Sequence, residues 1–352
     1  MTPRILEKDK KTGVAYVFTE DGVELPVIDV AHPAFALELG EADLAELLQR
    51  FLHEEEQRRK IPAFLRRQFF KMGARQSVIL RGLADASGTF LSGMNTYVFK
   101  LGPDNLGRAY ASDLDRTIAA SLSGVAVRLR LQDMAWLLAD GLADTLQARP
   151  EAALHLLNIG GGPAIDSVNA LIVLQRREPR LLAGRKVFVH VLDLHHEAPR
   201  FGARALAALL DAGAPLEGLD VSFDHVTYNW RVTETLRDLL ARLDRDGDVI
   251  AVSSEGGLFE YGSDEEILTN LTVLSCDLAE GTVFAGSVTR ADGPGRHLHA
   301  SVGIPLQPRT LEEFKSLAAQ GGWAVAEARV RPFSYNVLMK LGKTAVSKQQ
   351  GR

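Results

Sequence analysis

Along the first 150 residues most apolar positions recur every three or four residues, whereas beyond them short continuous apolar runs alternate with helical stretches. The first exception comes early. Runs at 13–18 and 23–30 flank Glu20-Asp21-Gly22, a turn signal that predicts a β-hairpin with Pro26 on an edge strand. Helical spacing follows at Leu44, Leu47, Leu48 and Phe51, then a charged run over 54–60, then a second helix opened by Pro62 through Phe64, Leu65, Phe69 and Phe70. Residues 91–107 are polar and punctuated by glycine, the pattern of a connector or a pocket cover, with Asn95 and Tyr97 as candidate substrate contacts. Leu131, Met134, Ala135, Leu138 and Leu142 predict a helix that stops near Arg149-Pro150.

After residue 150 the alternation is regular. Apolar strands are predicted at 154–159, 186–193, 219–227, 248–253 and 282–288, each followed by a helical stretch, which implies a parallel sheet covered on both faces. Strands at 323–330 and 335–341 are joined by Arg331-Pro332-Phe333-Ser334, too short for a crossover helix, so these two are expected to be antiparallel neighbours. The expected architecture is α/β: a doubly wound, mostly parallel sheet with an antiparallel last strand over 151–352. A mainly helical region with a β-hairpin, 1–150, precedes it as a candidate substrate cover.

The stretch with most chemical content is the end of the first core strand, Asn158-Ile159-Gly160-Gly161-Gly162-Pro163. Glycines between a buried strand and a helix let the backbone approach a ligand, and the helix behind them points free N–H groups into the turn. The next strand ends in Asp193, a carboxylate where nucleotide-binding α/β proteins hold ribose hydroxyls. On these residues the chain resembles the class I S-adenosylmethionine (SAM)-dependent methyltransferases. The resemblance implies that Gly160, Gly161, Gly162 and Pro163 face the methionine part of SAM and that Asp193 holds its ribose. Asn158 stands where that family usually has Asp or Glu, and the interval to Asp193 is longer than usual, through residues 180–185. A dinucleotide site is the competitor, but its third small residue falls on Ile165, whose bulk would part helix from strand.

The loops at the carboxyl ends of the other strands supply further candidates. Tyr228, Asn229 and Trp230 follow the third strand, where the resemblance places the adenine; Trp230 either stacks there or packs on the core. Ser254-Glu255-Gly256-Gly257 follows the fourth strand, and Tyr261 lies just beyond. In the resembled family this loop borders the methyl group and the acceptor, so Ser254 joins the cofactor candidates and Glu255 and Tyr261 are the catalytic ones. Glu255 has four readings: an anchor for the methionine amino group, an anchor for a cationic substrate, a base, or a plain solvated or helix-capping carboxylate. Asp193, His195 and His196 are not expected to hold a metal, because adjacent histidines at a strand end diverge and no cysteine joins them. His190 reads as a core residue, and His297 and His299 as possible bases on a loop.

Composition narrows the classes. The chain has 352 residues, 46% hydrophobic and 24% charged, with a net charge of −5, so nothing draws it generally to nucleic acid or to an anionic membrane. The acidity also favours a solvated face over a nucleic-acid face for Arg66 and Arg67. Cys276 stands alone, which excludes an intramolecular disulfide and points to a reducing compartment. The first residues lack an apolar targeting core and no apolar run is long enough to span a bilayer, so a cytoplasmic location is expected. Neither a nucleophile elbow nor a P-loop is present. The reading is a SAM-dependent methyltransferase with a small-molecule acceptor, with a homodimer as an open option. Three alternatives stand beside it: transfer of the aminocarboxypropyl group of SAM, an NAD(P)-dependent oxidoreductase, and a non-catalytic binding module.

Overall fold

The computed structural model describes residues 9–86, 91–244, 247–294 and 304–342. Two short strands, β1 (Tyr16–Phe18) and β2 (Glu24–Pro26), form the antiparallel hairpin. Its second arm ends earlier than the apolar pattern suggests. Past Pro26 the chain stays extended but takes its partners from side chains. The Tyr97 hydroxyl donates to the Pro26 carbonyl at 2.8 Å and accepts the Ile28 N–H at 3.0 Å. Asn169 accepts the Val30 N–H at 2.7 Å and donates to the Ile28 carbonyl at 2.9 Å. Two buried side chains thus do the work of a neighbouring strand for four of the segment's backbone groups.

Six helices follow: α1 (Glu41–Lys60), α2 (Ala63–Gln76), α3 (Val78–Asp85), α4 (Gly93–Lys100), α5 (Asp113–Ala120) and α6 (Leu122–Ala148). The segment that reads as a connector is in fact helical. Ser92 starts α4 by accepting the Asn95 N–H on its hydroxyl at 3.1 Å, and the glycines beside it sit at the helix ends rather than within it. Helix α6 is much longer than its apolar spacing announced and lies along the sheet. A Cβ at Gly141 would sit only 3.0 Å from Leu338.

The remaining elements alternate: β3 (Leu154–Ile159), α7 (Ile165–Arg177), β4 (Lys186–Asp193), α8 (Glu197–Leu210), β5 (Asp220–Thr227), α9 (Glu234–Leu240), β6 (Val249–Ser254), α10 (Leu258–Tyr261), α11 (Asp264–Asp277), β7 (Val283–Thr289), α12 (Leu311–Gln320), β8 (Trp323–Val330) and β9 (Ser334–Leu341). They build one seven-stranded sheet in the order β5-β4-β3-β6-β7-β9-β8. The first five are parallel, and β9 runs antiparallel to both neighbours, to β8 because the 331–334 connection is too short for a crossover. Helices α6, α7 and α8 cover one face, packing Leu138, Leu171 and Leu206 onto Val189 and Val283. The other face carries α9, α11 and α12, with Leu236, Leu271 and Phe314 around Phe284 and Trp323. The first core is continuous from Val17 to Leu338, across residue 150.

Strand order reverses between β3 and β6, since β3 continues into β4 on one side and meets β6 on the other. Such a reversal opens a crevice beyond the carboxyl ends of the strands.

Candidate functional site

A cavity of about 490 Å³ occupies that crevice. Its floor is the turn after β3. Gly160 and Gly162 have φ of +64° and +60°, a region that L side chains rarely enter. Space forbids a side chain as well: a Cβ on Gly160 would lie 2.8 Å from the Trp230 ring, and one on Gly162 would lie 3.0 Å from Gly93 Cα. The turn is fixed to β4 at two points. Gly160 N–H donates to the Leu192 carbonyl at 2.8 Å, and Gly162 N–H donates to Asp193 Oδ2 at 3.0 Å. The other Asp193 oxygen accepts the His195 N–H at 2.9 Å, so two backbone donors orient the carboxylate. Each oxygen keeps a further lone pair, which is what a pair of hydroxyls requires.

Opposite the turn stands α4, with Gly93, Met94, Thr96 and Lys100 toward the cavity. Beside it the loop after β6 contributes Glu255, Gly256 and Gly257, and α10 contributes Tyr261. Here the structure supplies a cluster that sequence reasoning missed. Glu255, 3% exposed, pairs through Oε2 with Lys100 Nζ and accepts Arg130 Nε on Oε1 at 2.5 Å. Arg130 Nη1 continues to Glu260 at 2.8 Å, and Ser287 donates to Glu260 Oε1 at 2.8 Å while accepting the Gly256 N–H at 2.9 Å. Two cations and two carboxylates therefore neutralise one another out of water. Burial alone would push the Glu255 carboxyl up, but Lys100 and Arg130 outweigh it and hold the group below the usual carboxylate range. Burial together with the Glu260 charge pushes the Tyr261 hydroxyl up to about 12, so it stays protonated. Arg130 had a detectable signal, because it interrupts the apolar run of α6 and a cation there needs a buried partner. Lys100 became readable only once 93–100 was a helix, one turn after Thr96 on the same face.

The loop after β5 closes the far end. Trp230 is half-buried, lies over Gly160 and packs on the core around α9, so lining the cavity and joining the core are compatible for it. Tyr228 lines the cavity with part of its ring but spends its hydroxyl on Asn270 Oδ1 at 2.5 Å. Asn229 is exposed at the rim and accepts the Arg231 N–H at 3.1 Å. His195 and His196 also line the rim. Among the described residues no group of three or more His, Cys, Asp or Glu side chains is placed to hold a metal. His190 is a core residue, 3.0 Å from His155 Nδ1, and burial first, then His155, pushes it down to about 4. His297 and His299 lie outside the described residues.

Four of the expected contacts sit behind the walls instead. Tyr97 is fully buried, edge-to-face with Phe201, its hydroxyl committed to the 26–28 segment. Asn95 turns toward α3, where a Cβ on Gly82 would meet its side chain at 2.5 Å. Helical geometry is the reason: with Gly93, Thr96 and Lys100 facing the cavity, Asn95 and Tyr97 point elsewhere. Ser254 accepts the Leu258 N–H and donates to the Ile159 carbonyl, both at 2.9 Å or less, clamping β6 to β3. Asn158 lies under the glycine turn and donates to Asp166 at 2.8 Å and to Ser253 at 2.9 Å. Asp166 itself is buried, and desolvation first, then the Glu255 charge, outweighs the pull of Lys100 and raises it to about 6.

Comparison with known proteins bears on the fold. No protein-family model matches the chain, and no curated protein does. Among solved structures, a possible exported protein from Bordetella parapertussis aligns over 89% of this chain and 99% of its own at 17% identity, with a TM-score of 0.50. LepI in complex with S-adenosylhomocysteine and a substrate analogue aligns over 85% and 94% at 12% identity and 0.44. The 1,6-didemethyltoxoflavin-N1-methyltransferase of Burkholderia thailandensis, with 1,6-didemethyltoxoflavin and S-adenosylhomocysteine bound, aligns over 64% and 85% at 17% and 0.36. The seven-strand order and the single antiparallel β9 make this the class I SAM-dependent methyltransferase fold.

Proposed function

We propose that the chain is a SAM-dependent methyltransferase acting on a small-molecule acceptor. The observation that carries this reading is the joint placement of the glycine turn and Asp193 on one cavity at the strand-order reversal, the carboxylate oriented by the turn's own N–H. The residues present fit the cofactor: a backbone cradle that a Cβ would fill, a carboxylate with lone pairs for a diol, and a volume in the ordinary range for small-molecule sites. Asp193 would hold the ribose, the Tyr228–Trp230 loop the adenine end, and the turn with Gly256 and Gly257 the methionine end. SAM supplies an electrophilic methyl group on a sulfonium.

Methyl transfer asks mainly for alignment and exclusion of water. Met94, Trp230 and Tyr261 supply apolar surface around the cavity. Glu255 is an anchor in this reading and not the base, because a carboxyl held below its ordinary range is a weak proton acceptor at neutral pH. Its partners make it one side of a fixed charge pair that can meet the ammonium and carboxylate of the methionine end, Glu255 toward the first and Lys100 toward the second. A reducing, cytoplasmic setting belongs to the proposal on the strength of the lone Cys276. Among the described residues no helix is long and apolar enough to cross a membrane.

Isothermal titration tests the reading. SAM and S-adenosylhomocysteine are expected to bind and to raise the melting temperature by mass action, and NAD to do neither. Binding of NAD without SAM overturns it. Turnover with SAM labelled either in the methyl or in the carboxypropyl carbon then separates methyl from aminocarboxypropyl transfer.

A further inference from the structure

The helix α2 buries none of its fourteen residues. Phe64 is 68% exposed, Phe69 59%, Met72 53% and Phe70 38%, and Leu52 of α1 adds another exposed apolar side chain. Its hold on the body is slight. Gly73 rests on Leu80, and Ser77, just past its end, is tied to Asp115 Oδ1 at 2.5 Å. By contrast α1 is anchored, with Phe51 edge-to-face on Phe333 beside Leu122 and Ala126. A fourteen-residue helix in water is marginal on its own, so three phenylalanines and a methionine on an uncovered one call for a covering surface.

We propose that α1 and α2 form a self-association surface and that what covers α2 is a second copy of this chain. Charge favours this occupant. Helix α2 carries Arg66, Arg67, Lys71 and Arg75 and no acid, while in α1 Glu46, Glu55 and Glu56 pair with Arg50, Arg58 and Lys60 of the same helix and Glu41, Asp43 and Glu54 against Arg59 leave it net acidic. One patch therefore contains a cationic helix and an anionic one. A two-fold interface presents the same patch twice, so laying α2 of each copy along α1 of the other brings opposite charges together at both ends. The area suffices as well: helices of about 30 and 21 Å, with aromatic side chains that bury about 150–250 Å² each, supply the ~800 Å² per partner of a stable interface. An anionic bilayer would suit α2 but not the acidic α1 beside it. The surface lies apart from the cavity and its residues, so this proposal stands or falls separately from the enzymatic one.

Sedimentation velocity at micromolar concentration tests it on the full chain. The wild type is expected at twice 38.4 kDa. Phe69→Asp with Met72→Asp, both exposed in one copy and so harmless to its own core, is expected to raise the dissociation constant at least ~100-fold with circular dichroism unchanged. Arg66→Glu with Arg67→Glu should weaken the dimer too and reduce its sensitivity to salt. A wild type that stays at one mass, or a Phe69/Met72 variant that stays dimeric, overturns the proposal. So does co-sedimentation of the wild type with vesicles of equal parts phosphatidylcholine and phosphatidylglycerol, which would assign the surface to a membrane.

Discussion

On the β3–β4 side of the cavity the groups that face a ligand are backbone N–H groups and one carboxylate that they orient; on the β6–α4 side they are charged side chains that neutralise one another. The first wall has no room to change, because any Cβ at Gly160 meets Trp230. The second is held by charges that bear a desolvation cost and repay it only while all are present. Asp166 and Glu255 make the contrast sharp. Both are buried carboxylates close enough to feel each other, yet Asp166, which feels Lys100 without bonding to it, is raised to about 6, and Glu255, bonded to Lys100 and Arg130, is lowered. Partners, and not burial, decide the sign.

The largest expected effect comes from breaking the charged wall. Glu255→Gln takes from Lys100 the carboxylate it pairs with and leaves Arg130 with Glu260, and removing one partner of a buried pair costs about 3–5 kcal/mol. Urea unfolding at neutral pH should register it. Because the folded-state value of Glu255 lies below its ordinary 4.5, its stabilisation is complete above that pH and is lost on acidification. Wild type and variant should therefore converge in acid, and equal midpoints at neutral pH would show that the cluster does not act as a unit.

Asp166→Asn probes the opposite sign. The carboxyl is raised from 3.8 to about 6, so its contribution is complete below the lower value and lost as pH rises through the higher, a penalty of up to ~3 kcal/mol at alkaline pH. The amide variant should be more stable than wild type above neutrality and no different near pH 4. Differential scanning calorimetry across that range decides it.

For the backbone wall, Asp193→Ala removes the one charged acceptor. Hydrogen bonds to a charged group are worth about 1.5–3 kcal/mol, so SAM affinity should fall roughly tenfold to a hundredfold with the fold intact. Unchanged affinity by titration would place the ribose elsewhere. The smallest effect belongs to Asn95→Ala, which leaves both walls untouched: cofactor affinity and turnover should stay within experimental error of wild type.

The sheet was legible in the chain because its central strands β3, β6 and β7 are buried along their whole length and read as apolar runs, and because the 331–334 connection leaves only one arrangement for the last pair. The glycine turn and Asp193 were legible for a similar reason, since each lies where a strand stops. What escaped was whatever depends on which way a helix faces. Asn95 and Tyr97 are polar and sit in the right segment, but a turn of 100° per residue sends Thr96 and Lys100 into the cavity and those two away from it. Asn158 and Ser254 border the site in sequence and lie one layer below it in space. Arg130, more than a hundred residues from Glu255 along the chain, had no local signal of its partner, only that of a cation in an apolar stripe.

The position of β9 also bears on how the protein is made. It is the last strand among the described residues, yet it occupies an interior place in the sheet, between β7 and β8, and its Leu338 lies against α6. During synthesis α6 and β7 are therefore complete long before the strand that covers them, and until it arrives β7 has an open edge and α6 an uncovered apolar side. A product cut short before residue 334 keeps every group of the cavity walls and still cannot close its sheet. Such fragments should be captured by chaperones or proteases rather than accumulate as a folded protein with a trimmed tail.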